Sequence, residues 1–143
     1  MKLVTKLLGV GLIFAGGIAI AGEATDPQVK ARQEVMETLG KNMKILGDMA
    51  GAKTAYDAAA AEAAKAAIVA AASEAAAKFE PQATDPESEA KAEIWTNWED
   101  FVAKANGLNT AATALDASTL EGVQAGMGAI GGACKACHTA YRM

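Results

Sequence analysis

The segment Cys134-Lys135-Ala136-Cys137-His138 lies within the last ten residues of a 143-residue chain and holds both its cysteines and its only histidine. Whatever the chain folds into must bring these three side chains together. The residues around them show on what element. Leu120, Val123, Met127, Ile130, Cys134, Cys137 and Tyr141 step by three and four, which is the spacing of one face of a helix. Ser118-Thr119-Leu120-Glu121 reads as a capping box opening that helix. Both cysteines are therefore expected on its inward face.

Three further helices can be read, and no strand. Thr25-Asp26-Pro27 supplies an N-cap acceptor followed by proline at the first helical position. Val29, Met36, Leu39, Met43 and Leu46 then recur at helical spacing, and either Gly47 or Gly51 ends the run. A second helix is expected over residues 58–78, capped by Asp57 and built mostly of alanine, the strongest helix former. Pro81, Asp85 and Pro86 mark residues 80–87 as the loop between halves. A third helix is expected from Ser88 to about Ala105, through Ile94, Trp95, Trp98 and Phe101, with a continuation after Gly107 over residues 108–115. The fold class this predicts is all-α, an antiparallel four-helix bundle.

The N-terminus has to be set aside from that count. Lys2 and Lys6 precede an uncharged apolar run over residues 7–20, and Ala19-Ile20-Ala21 offers the small-x-small pattern of a signal peptidase site. The run is shorter than the roughly 20 apolar residues of a membrane span. Residues 1–21 are thus expected to be a signal peptide, with residues 22–143 forming one exported domain free of any membrane insertion. Without Lys2 and Lys6, eleven basic residues face 17 acidic ones, a net charge of −6. With no basic run, this argues against nucleic acid as a partner.

Cys-x-x-Cys-His is the attachment signature of a c-type haem. Each thiol adds across one vinyl group of the porphyrin, and the adjacent imidazole reaches the iron from the same side. Rival readings of the same residues fall short. A thioredoxin-like motif belongs to a βαβ pattern that is absent here, and structural zinc needs four ligands. A disulfide between Cys134 and Cys137 would close a very small loop inside a helix. Composition agrees independently: with seven aromatics in the whole chain and an alanine-glycine interior, a bundle falls short of native apolar packing. A buried porphyrin would fill that volume, and Gly131 and Gly132 would let the backbone approach it.

The run CKACHTAYR closing a four-helix chain resembles the class II c-type cytochromes, the family of cytochrome c′ and its low-spin, methionine-ligated relatives. Ala31-Arg32-Gln33-Glu34-Val35-Met36, followed by Gly40 and Met43, is similar to the family's opening segment. Glu93-Ile94-Trp95 is close to its Pro-Glu-Ile-Trp, though Ala92 stands where proline is usual. The resemblance spans essentially residues 22–143. It implies one covalent haem c on Cys134 and Cys137 with His138 as proximal ligand, Arg32 paired with a haem propionate, and Arg142 beside the proximal imidazole. It also singles out Met36, where low-spin members place their iron-bound thioether and some high-spin members merely block the pocket.

Two functions follow from that sixth position. If Met36 binds the iron, the chain is a periplasmic electron-transfer protein meeting redox partner proteins through a small transient interface. If Met36 only packs, the iron is five-coordinate and the protein binds nitric oxide or carbon monoxide. An enzyme is not expected, since no second histidine exists for acid–base work. Monomer and homodimer are both compatible with the sequence.

Overall fold

The computed structural model describes residues 22–143; the expected signal segment lies outside them. Five helices and no strand occur among the described residues: α1 Pro27–Ala50, α2 Ala58–Phe79, α3 Glu93–Thr96, α4 Trp98–Ala114 and α5 Leu120–Tyr141. Four are long. Contacts run α1 to α2, α2 to α4, α4 to α5 and α5 back to α1, so the bundle is a closed square in which each helix borders its sequence neighbours. The single-turn α3 is a shoulder on α4.

The starts follow the capping chemistry. Asp26 accepts hydrogen bonds from the amides of Gln28 (2.8 Å) and Val29 (3.2 Å), ahead of Pro27. Asp57 accepts from Ala60 at 2.8 Å. The fourth long helix begins one residue later than the capping box implied. Thr119, not Ser118, is its N-cap, accepting from Gly122 at 3.0 Å. Ser118 instead donates its hydroxyl to Asp116 (2.6 Å), an acceptor just outside the box.

The third helix departs most from expectation. Residues 88–92 are not helical, because their backbone is engaged elsewhere: Ala90 forms an antiparallel bridge with Arg142. Asn97 then breaks the remainder at φ −122°, ψ 44°. Gly107 does not interrupt α4 at all; it is exposed, and its cost there is only about 1 kcal/mol relative to alanine.

Two clusters fill the interior. The main one joins α1, α2, α4 and α5 around Leu46, Ile68, Val123 and Ile130. Alanines 61, 64, 71, 72 and 75 form most of the buried face of α2, so that wall packs by close backbone approach rather than by side-chain bulk. The second cluster is aromatic, with Phe79, Ile94, Phe101 and Tyr141. Phe101 is its hub, with ring centroids 5.2 Å from Phe79, 5.5 Å from Trp98 and 5.4 Å from Tyr141. Such pairs contribute roughly 0.5–1.5 kcal/mol each beyond area burial.

The long connection of residues 80–92 is stitched down. Asp85 accepts from the amides of Thr25 (2.8 Å) and Asp26 (3.0 Å), from the Thr25 hydroxyl (3.0 Å), and from the Glu87 amide (2.9 Å). These bonds, those from the Asp26 and Glu87 amides above all, hold its carboxyl at about 2, below the usual value near 3.9. A depressed folded pKa stabilises the fold above the unfolded value and loses that contribution as pH falls through the folded one. Melting temperature should therefore drop between about pH 4 and pH 2 more steeply in the native protein than in Asp85→Asn. Parallel pH profiles for the two proteins would remove Asp85 from this role.

Candidate functional site

The last turns of α5 carry the attachment motif. Cys134 and Cys137 are free thiols, both half-buried. Cys134 packs against the main cluster and Cys137 against the aromatic one. Burial pushes both thiols above their ordinary pKa, which keeps them neutral and protonated. His138 follows on the exposed side of the helix. Partial desolvation lowers its pKa, the Arg142 guanidinium adds to that, and Glu89 pulls the other way. Neutral imidazole is the form that ligates metal.

Gly131 precedes His138 by seven residues, two turns along the same face, and a Cβ there would meet nothing within 4 Å. That face can receive a flat macrocycle against the helix backbone. Gly132 is exposed and one position further round, so of the expected pair only Gly131 shares the His138 face. Among the described residues no cluster of three or more His, Cys, Asp or Glu side chains could hold a metal ion by itself. The donor set fits a porphyrin iron: two thiols, one imidazole and a bare stretch of helix.

Met36 approaches from α1. It is half-buried and packs against both clusters, including the aromatic one that Cys137 also borders. The two helices run antiparallel: the Gln124 side chain donates to the Ala50 carbonyl at 3.0 Å, and the Met127 methyl lies 3.7 Å from where a Gly47 Cβ would stand. At the same rise per residue, eleven residues further along each helix brings Met36 level with His138. Met43 borders the main cluster alone, Met49 is part of it, and Met143 is exposed.

Arg32 is buried, 3% exposed. Its guanidinium donates to the carbonyls of Lys78 (3.2 Å), Ala83 (3.2 Å) and Pro81 and lies over the rings of Phe79 (5.3 Å) and Trp95 (5.1 Å). A cation here satisfies carbonyls at and just beyond the C-terminus of α2, where the helix dipole is negative. Trp95 completes the cap, its indole donating to Phe79 at 2.8 Å. Burial lowers the Arg32 pKa. Arg142 is exposed and ion-paired with Glu89.

The sequence shows Tyr141 as the end of an apolar stripe and as part of the closing CKACHTAYR run, with no sign of its partner. Its hydroxyl donates to Asp100 Oδ2 at 2.5 Å, and that bond pushes the phenol up to about 12. Asp100 also accepts from Lys104 at 2.9 Å. The turn after His138 is thereby fastened to the first turn of α4. No periodicity links residues 41 apart, so the sequence carries no signal for this pair.

A four-helix bundle whose last helix bears Cys-x-x-Cys-His defines a class II c-type cytochrome. The family model for Cytochrome C′ matches residues 27–142, and the chain belongs to that family. It is 33% identical over 146 residues to cytochrome c-556 of Agrobacterium fabrum, covering 100% of this chain and 96% of that protein. Cytochrome c′ from Rhodobacter Spheriodes is similar in structure, with a TM-score of 0.75 and 29% identity over 81% of this chain and 95% of that one. So is a ferrous variant of cytochrome c prime from Alcaligenes xylosoxidans with bound NO, with a TM-score of 0.72 and 27% identity over 81% of this chain and 94% of that one. The protein is thus a monohaem c-type cytochrome with covalently attached haem c.

Proposed function

We propose that the protein carries electrons in the periplasm, with its haem attached through Cys134 and Cys137 and its iron held by His138 and Met36. The haem supplies the one-electron couple; the chain's residues hold it and close its sixth position. One observation carries this reading: Met36 and Cys137 border the same aromatic cluster from the neighbouring helices α1 and α5. A thioether at that level excludes outside ligands and raises the potential. Arg32 makes three hydrogen bonds to carbonyls, which leaves two of its five N–H groups for a propionate. Arg142 stands one turn beyond His138, its amide donating to the His138 carbonyl at 3.0 Å. No helix among the described residues is long and apolar enough to cross a membrane, and redox proteins are the partners this reading requires.

The second reading, a five-coordinate iron that binds nitric oxide or carbon monoxide, draws support from the likeness to the nitric oxide-bound Alcaligenes xylosoxidans protein. Titrating reduced, purified holoprotein with carbon monoxide separates the two. Electron transfer with Met36 ligated requires that the visible spectrum stay unchanged. Ready uptake of the gas would leave Met36 as packing and favour the second reading.

A further inference from the structure

His138 lies in the final turn of α5, and terminal helical turns fray unless held. The segment that holds this one is distant in sequence. Residues 89–91 run beside the helix end, with the Lys91 amide donating to the Tyr141 carbonyl at 3.0 Å and the Met143 amide to the Glu89 carbonyl at 2.9 Å. Across this bridge the Glu89 carboxylate takes Arg142 through Nε at 2.6 Å and through a terminal nitrogen at 2.5 Å, both on Oε2. Arg142 in turn donates its amide to the His138 carbonyl at 3.0 Å. The strap therefore ties one carboxylate, one guanidinium and the imidazole-bearing turn into a single unit.

We propose that Glu89 is a positioning residue for the proximal ligand: its carboxylate pins Arg142 and offsets the guanidinium's charge beside His138, and so tunes the reduction potential. The proposal rests on His138 being that ligand. Both charges stand beside the His138 turn, Arg142 through its amide on the His138 carbonyl and Glu89 through its ion pair with Arg142, and they carry opposite sign. A lone positive charge nearby disfavours the more positive ferric state, so losing Glu89 alone makes reduction easier. Losing Arg142 alone leaves an uncompensated carboxylate and makes it harder. Because the side chains are 60% and 52% exposed, added salt screens the effect.

The experiment is a potentiometric titration of purified holoprotein at low and high ionic strength. Glu89→Gln should shift the midpoint upward and Arg142→Gln downward, while the double variant returns toward the wild-type value because the two opposite charge effects cancel. Glu89→Asp should keep the wild-type midpoint, and all shifts should shrink with salt. Unchanged midpoints in both single variants at low salt, or shifts that salt does not reduce, would overturn the proposal. The underlying ligand assignment is tested separately by His138→Ala. An optical spectrum identical to wild type there removes the ligand, and with it the proposal. An altered spectrum alongside an unchanged Glu89→Gln midpoint removes the proposal alone.

Discussion

Reduced Met36→Ala protein should take up carbon monoxide stoichiometrically, where the wild type resists it. The expectation follows from the register of α1 on α5: Met36 is level with His138, while Met43 stands two turns further along and Met49 is part of the main core. Removing the thioether leaves no second donor within reach. The ferric protein should turn high-spin, lose any weak thioether-to-iron band at the red end of the visible spectrum, and show a lower midpoint potential. Truncating a half-buried methionine also costs stability, on the order of 1–2 kcal/mol, so spectra are to be compared well below the melting transition. Arg32→Gln is the control. It removes the carbonyl cap on α2 and disturbs the potential, but opens no coordination position. A Met36→Ala protein with the wild-type spectrum would show that the thioether never bound.

The double variant Cys134→Ala, Cys137→Ala should lose its haem in acid–acetone, whereas the wild type keeps it. Retention by both, or release by both, would break the link between these thiols and the attachment. Haem-free chain should then keep its far-UV helical signal while losing near-UV bands, the signature of a molten globule. The reason lies in α2, whose buried face is mostly alanine and gives the interior little bulk to lock. A sharp cooperative melt without haem would contradict that account.

The four long helices and the attachment motif were legible because their signals are local. Asp26 and Asp57 cap the helices they were expected to cap, and the stripe on α5 puts Val123, Ile130 and Tyr141 inside. Residues 88–92 misled for the opposite reason. Ser88 resembles a helix start, yet the backbone of 89–91 pairs with 141–143, and tertiary pairing overrides a local cap. Arg32 shows the same limit. Its spacing from Met36 marks an inward face, but nothing local tells that its guanidinium reaches carbonyls 46 to 51 residues away. Glu89 and Asp100 gave no signal, since single carboxylates on polar stretches look alike until their partners are known.

The strap between residues 89–91 and 141–143 also orders events in time. The α1–α2 hairpin joins neighbours across a short turn, whereas the strap closes a loop of about fifty residues, and larger loops are slower to close. The final turn of α5 is therefore the last part of the bundle to be fastened. During that interval two thiols and an imidazole ride on turns not yet held by the strap, reachable by whatever machinery joins them to their prosthetic group. Pulsed hydrogen exchange during refolding should find α1 and α2 amides protected before those of the last turns of α5; the reverse order would mean that the motif is buried before it can be modified.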